Sequence, residues 1–210
     1  MTVHRNARTL FASVALALIV VACSSSTGTP SQGGAVGGCP TSQPAAATAG
    51  TTRDVTMVTS KGTIVVRLSS DLSPIAVGNF LALVDCGFYN GVIFHRVVPG
   101  FVIQGGDPEG TGMGGPGYSI KDEPVIGSYR RGTLAMARTA APDSQGSQFF
   151  IVLDDAAAVP LESVRTYAIL GEVVSGLDAV DAIAAVARDG NDRPIDPVTI
   201  VSATSGPSAP

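Results

Sequence analysis

A β-barrel capped by two helices is the fold class this sequence predicts, and three observations predict it. Many short runs rich in Val, Ile, Thr and Phe occur between residues 54 and 201. Only two stretches carry a helical apolar stripe, and 25 Gly and 14 Pro are too many for a helical bundle. The strands do not alternate with helices, so βαβ units are disfavoured. Hydrophobic residues make up 45% of the 210, which supplies one sizeable core. A net charge of −4 without a Lys/Arg run excludes a nucleic-acid partner. Two His and three Cys show no metal-ligand spacing, so no metal is expected.

Taken in order, residues 1–22 read as a targeting segment. Arg5 and Arg8 form a positive start, and Leu10 to Ala22 is an apolar run too short for a bilayer, which needs about 20 residues. The run ends in Val20-Val21-Ala22-Cys23, which resembles the lipobox of bacterial lipoprotein signal peptides. That resemblance implies a lipidated Cys23 and a protein anchored in the cell membrane on its extracytoplasmic side. The plainer reading is a secretory peptide cut after Ala22. Residues 24–52, which follow Cys23 within the 23–52 segment, are mostly Ser, Thr, Gly, Pro, Ala and Gln without a charge, and read as a flexible tether spanning roughly 30 Å.

The domain proper is expected at 53–204. Val55–Thr59 and Thr63–Leu68 flank Ser60-Lys61-Gly62 as a hairpin. Asp71–Cys86 is the first helix, with Pro74 in its first turn and Gly87 as its stop. Strands follow at Val92–Val98, Phe101–Gln104, Thr133–Ala137, Gln148–Leu153 and Tyr167–Val173. A second helix spans Gly176–Arg188, and Ile200-Val201 closes the set. Residues 205–210 read as frayed.

Chemistry concentrates in two segments, Phe94-His95-Arg96-Val97-Val98-Pro99-Gly100-Phe101-Val102-Ile103-Gln104 and Gly146-Ser147-Gln148-Phe149-Phe150. Strand alternation puts Phe94 and Arg96 on one face of the first, opposite Ile93, His95 and Val97. It puts Gln148 and Phe150 on one face of the second, opposite Phe149. The two strands together predict an apolar pocket with one cation and two amides converging on it.

The runs FHRVVPGFVIQGGDP and GTLAMARTAAPDSQGSQFFI, with the spacing between them, resemble the cyclophilin family from about Val55 to Val201. The resemblance implies an eight-stranded antiparallel closed barrel with two capping helices. It also implies peptidyl-prolyl cis/trans isomerase activity without a cofactor, acting on proline-containing peptides and unfolded exported proteins. Arg96 and Gln104 take the catalytic positions. Phe101, Val102, Gly110, Ala137, Gln148, Phe150 and Leu161 line the substrate site, and Tyr167 stands where many relatives carry His. Pro160 replaces a Trp found in many relatives. A monomer is expected.

Several residues have a plainer reading. His95 is expected buried and hydrogen-bonded. Residues 110–115 read as a flexible glycine loop without the strand, helix and Lys of a phosphate loop. Asp107, Glu109, Asp122 and Glu123 read as solvated loop acids, and Ser147 lacks a nucleophile elbow. Export makes a Cys39–Cys86 disulfide possible; the alternative is two free thiols. A rival function is a tethered, non-catalytic proline-binding adaptor or chaperone.

Overall fold

Backbone pairing, not helix packing, organises this chain. The structure is a computed structural model and describes residues 1–2 and 38–209. The expected leader beyond its second residue, Cys23, tether residues 24–37 and Pro210 lie outside the described residues. The elements are β1 (Thr52–Thr59), β2 (Gly62–Ser69), α1 (Pro74–Asp85), β3 (Ile93–Val98), β4 (Val102–Asp107), β5 (Thr133–Met136), β6 (Phe149–Val152), α2 (Ala158–Val164), β7 (Ile169–Ser175), α3 (Leu177–Ala184) and β8 (Val198–Ala209). The strands close into a barrel in the order β1-β2-β7-β5-β6-β4-β3-β8, all pairs antiparallel. This is the expected eight-stranded closed barrel.

Alternation fills its interior. Val55 and Met57 of β1 and Ile64, Val66 and Leu68 of β2 point inward, with Ile103, Leu134, Phe149, Ile151 and Leu170 from other strands. Phe80, Tyr89, Phe94 and Phe149 meet at tilted or edge-on angles with centroids 5.0–6.0 Å apart, a geometry that suits their ring quadrupoles. α1 buries Ala76, Phe80, Leu83 and Val84 against this core, and α3 buries Ala179, Val180 and Ile183. α3 stops at Ala184, short of the expected Arg188, and the chain then doubles back in a bridge between Arg188 and Pro194.

Four expectations need correction. First, a third helix, α2, follows a single 3-10 turn at Asp155–Ala157, whose entry is capped by Ala156 N–H donating to Asp154 Oδ1 at 2.8 Å. Pro160 sits in the first turn of α2, where its missing N–H costs nothing. Second, residues 205–209 are not frayed. β8 pairs with β1 through Thr52↔Ala209, and Arg53 Nε donates to Gly206 O at 3.0 Å. Small polar residues give no apolar pattern, yet their backbone groups complete the ladder.

Third, residues 38–51 are not a free tether but a strap across α1. Cys39 is joined to Cys86 (S–S 2.12 Å), Ala47 N–H donates to Pro74 O at 2.8 Å, and Gly50 N–H to Asp71 Oδ1 at 2.7 Å. Gly78 makes the crossing possible, because a Cβ there would stand 2.3 Å from Ala45 O. Fourth, Glu123 is no solvated acid. Its two carboxylate oxygens each accept at 2.8 Å, from Ile75 N–H and Ala76 N–H, which caps an α1 N-terminus whose Ser73 side chain makes no capping bond.

Candidate active site

The site lies outside the barrel wall, where β3, β4, β6 and β5 run side by side. Strict alternation would have turned Arg96 inward with Phe94. Instead the β3–β4 register shifts between Phe94 and Arg96. Phe94 and Val97 are both buried in the barrel core, and Arg96 is half-buried on the outer face opposite Gln104. The extra residue of a bulge re-aims the side chain that follows it. The expected sharing of one face by Phe94 and Arg96 is therefore wrong, while Phe149 and Phe150 do point to opposite sides.

From Arg96 a directed hydrogen-bond chain crosses the sheet. Arg96 Nη1 donates to Gln104 Oε1 at 3.4 Å, Gln104 Nε2 donates to Gln148 Oε1 at 3.0 Å, and Gln148 Nε2 donates to the carbonyls of Gly112 and Gly114 at 3.0 and 2.9 Å. Carbonyls only accept, so Gln148 must turn its NH2 toward the glycines and its oxygen toward Gln104. Gln104 must then donate with its own NH2 and accept from Arg96. The far end of the chain thus fixes both amides, and among the described residues Gln104 is the one acceptor the Arg96 guanidinium has.

Beside this polar line lies a second apolar cluster, separate from the barrel core. Val102, Phe150 and Leu161 are buried in it, and Phe101, Ala137 and Tyr167 pack on it half-buried. Phe150 meets Tyr167 edge-on at 5.4 Å. Tyr129, which the sequence did not single out, is buried in the same cluster; its hydroxyl donates to Tyr167 O at 2.7 Å and accepts from Tyr167 N–H at 3.2 Å. Burial pushes the Tyr129 phenol up to about 12, so it remains a donor at neutral pH. α2 brings Leu161 to this cluster, which is what that helix contributes.

A cavity of about 490 Å³ adjoins the polar line, lined among others by Gln104, Gln148, Ala137, Arg138 and Tyr118. Asp122 braces the Arg138 of its wall: it accepts from Arg138 Nη1, Gln145 Nε2 and Asp143 N–H, each at 2.9 Å. Asp122 is therefore structural, against the expectation of a solvated acid. Gly110 lies at the start of the loop that Asp107 holds. It is buried against Ile93, and its carbonyl accepts from Arg193 at 2.5 Å.

His95 is buried as expected, but neither ring nitrogen has a hydrogen-bond partner among the described residues. Burial lowers its pKa; the Asp107 charge opposes this, and Arg193 and Arg96 add to it. Asp107 is also not solvated: it has no exposed surface, and residues 109–114 fold around its carboxylate, so the glycine loop is held in place rather than free.

A bulge that turns out an Arg, an amide relay and an apolar slot on a closed barrel can be compared with known proteins. The family model for cyclophilin type peptidyl-prolyl cis-trans isomerase matches residues 54–205. The chain belongs to the cyclophilin family. Peptidyl-prolyl cis-trans isomerase B of Bacillus subtilis is 48% identical over 113 residues, covering 53% of this chain and 76% of that protein. The peptidyl-prolyl isomerase CWC27 of Cryptococcus neoformans is 49% identical over 122 residues; the match covers 55% of this chain but spans only 24% of that longer protein. A Cryptosporidium parvum cyclophilin type isomerase, crystallised in the presence of the dipeptide Ala-Pro, superposes with a TM-score of 0.66 at 35% identity, over 72% of this chain and 97% of its own. The cyclophilin barrel here differs from the sequence-based expectation chiefly at its margins, in the strap, α2 and the long β8.

Proposed function

We propose that this chain catalyses cis/trans isomerisation of X-Pro peptide bonds in exported polypeptides and aids their folding. The observation that carries this reading is the polarised relay that holds Arg96 beside the Phe150–Leu161 slot. The proline ring fits the slot, and the guanidinium faces the prolyl nitrogen. Rotation about the C–N bond is slow because of its partial double-bond character, a barrier of about 18–20 kcal/mol. Twisting the bond localises the nitrogen lone pair, and a guanidinium N–H donated to that nitrogen stabilises the twisted state over the planar one. Raising a rate of about 0.01 s⁻¹ to about 1,000 s⁻¹ takes roughly 7 kcal/mol. A half-buried charged donor, aimed by the relay and with the flanking peptide held in place, supplies an effect of that order. Arg96 and Gln104 act at the bond; Phe101, Val102, Ala137, Phe150, Leu161 and Tyr167 hold the proline, and Gln148 orients the peptide. The crystal form of the Cryptosporidium relative with Ala-Pro supports proline as the ligand.

The test is isomerisation of a short Ala-Pro-containing peptide. Arg96→Ala should slow it at least a hundredfold. A purely proline-binding adaptor would bind the peptide without turning it over, and the parent protein would then show no rate above background.

The same reading places the domain on a lipid anchor at Cys23, outside the cytoplasm. It is supported by the Arg5/Arg8 start, the apolar run and the Val20-Val21-Ala22-Cys23 sequence. The Cys39–Cys86 bond fits an oxidising compartment. Cys23→Ala should release the protein from the membrane fraction or stall its processing, since the acyl chains that give stable attachment have no Cys to join. Unchanged membrane retention of the variant would sink the anchor.

A further inference from the structure

Among the described residues, the catalytic reading leaves one fully buried carboxylate without a role. Asp107 ends β4 with no exposed surface, and burying a carboxylate is costly unless its oxygens are satisfied. Five donors satisfy them. Glu109 N–H reaches Oδ1 at 2.8 Å, while Thr111 N–H, Thr111 Oγ1, Gly112 N–H and Gly114 N–H reach Oδ2 at 2.9, 3.2, 2.5 and 3.1 Å. Burial opposes ionisation, but these bonds outweigh it and keep the carboxyl below its ordinary range. The approach is close enough that a Cβ on Gly114 would stand 2.1 Å from Oδ1.

The same two glycines that give their N–H groups to Asp107 offer their carbonyls to Gln148. Those carbonyls are the acceptors that set the direction of the whole relay. A loop of this composition has no side-chain packing of its own to hold them there. A neutral amide in place of Asp107 would keep the shape but turn an NH2 group toward N–H donors.

We propose that Asp107 is a positioning residue for the reaction: its carboxylate folds residues 109–114 so that Gly112 and Gly114 orient Gln148, and through Gln148 and Gln104 the Arg96 guanidinium. The inference rests on the proposed catalytic role of Arg96. Because the action is indirect, cutting the relay downstream removes it, whereas support of the fold alone would be felt whether or not the relay is intact.

The experiment is a double-mutant cycle in the peptide isomerisation assay, using the parent protein, Asp107→Asn, Gln148→Ala and the double variant. Asp107→Asn should lower kcat/KM about tenfold in the parent, as small misplacements of a catalytic group do. In the Gln148→Ala background it should lower it less than about twofold, because the amide that Gly112 and Gly114 orient is already gone. An equal loss in both backgrounds, or no loss in the parent, would overturn the proposal. If Asp107→Asn does not fold, Thr111→Val removes one of the five donors, and its loss of about threefold should vanish in the same way; equal losses again overturn it. A parent-like rate for Arg96→Ala is a separate outcome, which removes the catalytic reading itself.

Discussion

A guanidinium helps a twisting peptide bond only if its N–H groups are aimed before the bond twists, since reorganising them during the step would forfeit much of the gain. In the proposed reaction the amide relay supplies that aim, and Phe150 supplies the slot. Phe150→Ala should therefore raise KM several-fold as well as lower kcat in peptide turnover, because the ring both floors the slot and braces Tyr167. His95 gives a different signature. Its folded pKa is depressed, while an unfolded histidine titrates near about 6.5. Between those values the unfolded chain binds more protons, so stability should fall as pH drops from about 6.5 and level off below the folded value. Urea midpoints at about pH 7.5 and about pH 5 would show that loss in the parent, and His95→Phe should reduce it. An undiminished loss in the variant would assign the acid sensitivity elsewhere. Arg96, Gln104, Gln148 and Phe150 were legible in the sequence because they sit in two contiguous motifs. The bulge at residues 94–96 was not, because a register shift leaves no mark on hydrophobic alternation. The role of Asp107 was equally hidden, since four of its five donors are backbone N–H groups.

At the scale of elements, the strap and α1 stabilise each other. The disulfide closes a loop with a sequence separation of 47, and the chain-entropy model gives such a bond about 4 kcal/mol. Reduction, or Cys86→Ser, should lower the unfolding free energy by up to about that amount in denaturant titrations with and without reductant. A difference near zero would mean that the strap adds nothing to the fold. Gly78→Ala should displace the strap without breaking the bond, because its new Cβ cannot share space with Ala45 O; faster proteolytic cutting within residues 40–50 would report it. Composition pointed the other way, since an uncharged run of small residues looks unable to fold. What holds it is a covalent link and backbone hydrogen bonds, neither of which depends on apolar content. The strands and α1 were legible from their periodicity. α2 was not: seven residues containing a proline are too few for a helical stripe.

For the whole molecule, barrel closure depends on the pairing of β8 with β1, which runs to Thr52↔Ala209. Eight antiparallel strands and an interior of Val, Ile, Leu and Phe give a rigid wall, and the site is a property of that wall's outer face. Removing residues 205–210 should lower the melting temperature by several degrees, and an unchanged melting curve would return those residues to the frayed tail that their composition suggests. In the proposed reaction this wall holds Arg96 where it lowers the rotational barrier of a bound X-Pro bond. Exchange NMR on one Ala-Pro peptide, with the parent protein and with Arg96→Ala, tests it most directly, because binding and cis/trans turnover are read from the same sample. Arg96→Ala should keep binding within about tenfold and lose at least about a hundredfold in turnover. Turnover at the parent rate by Arg96→Ala would contradict it.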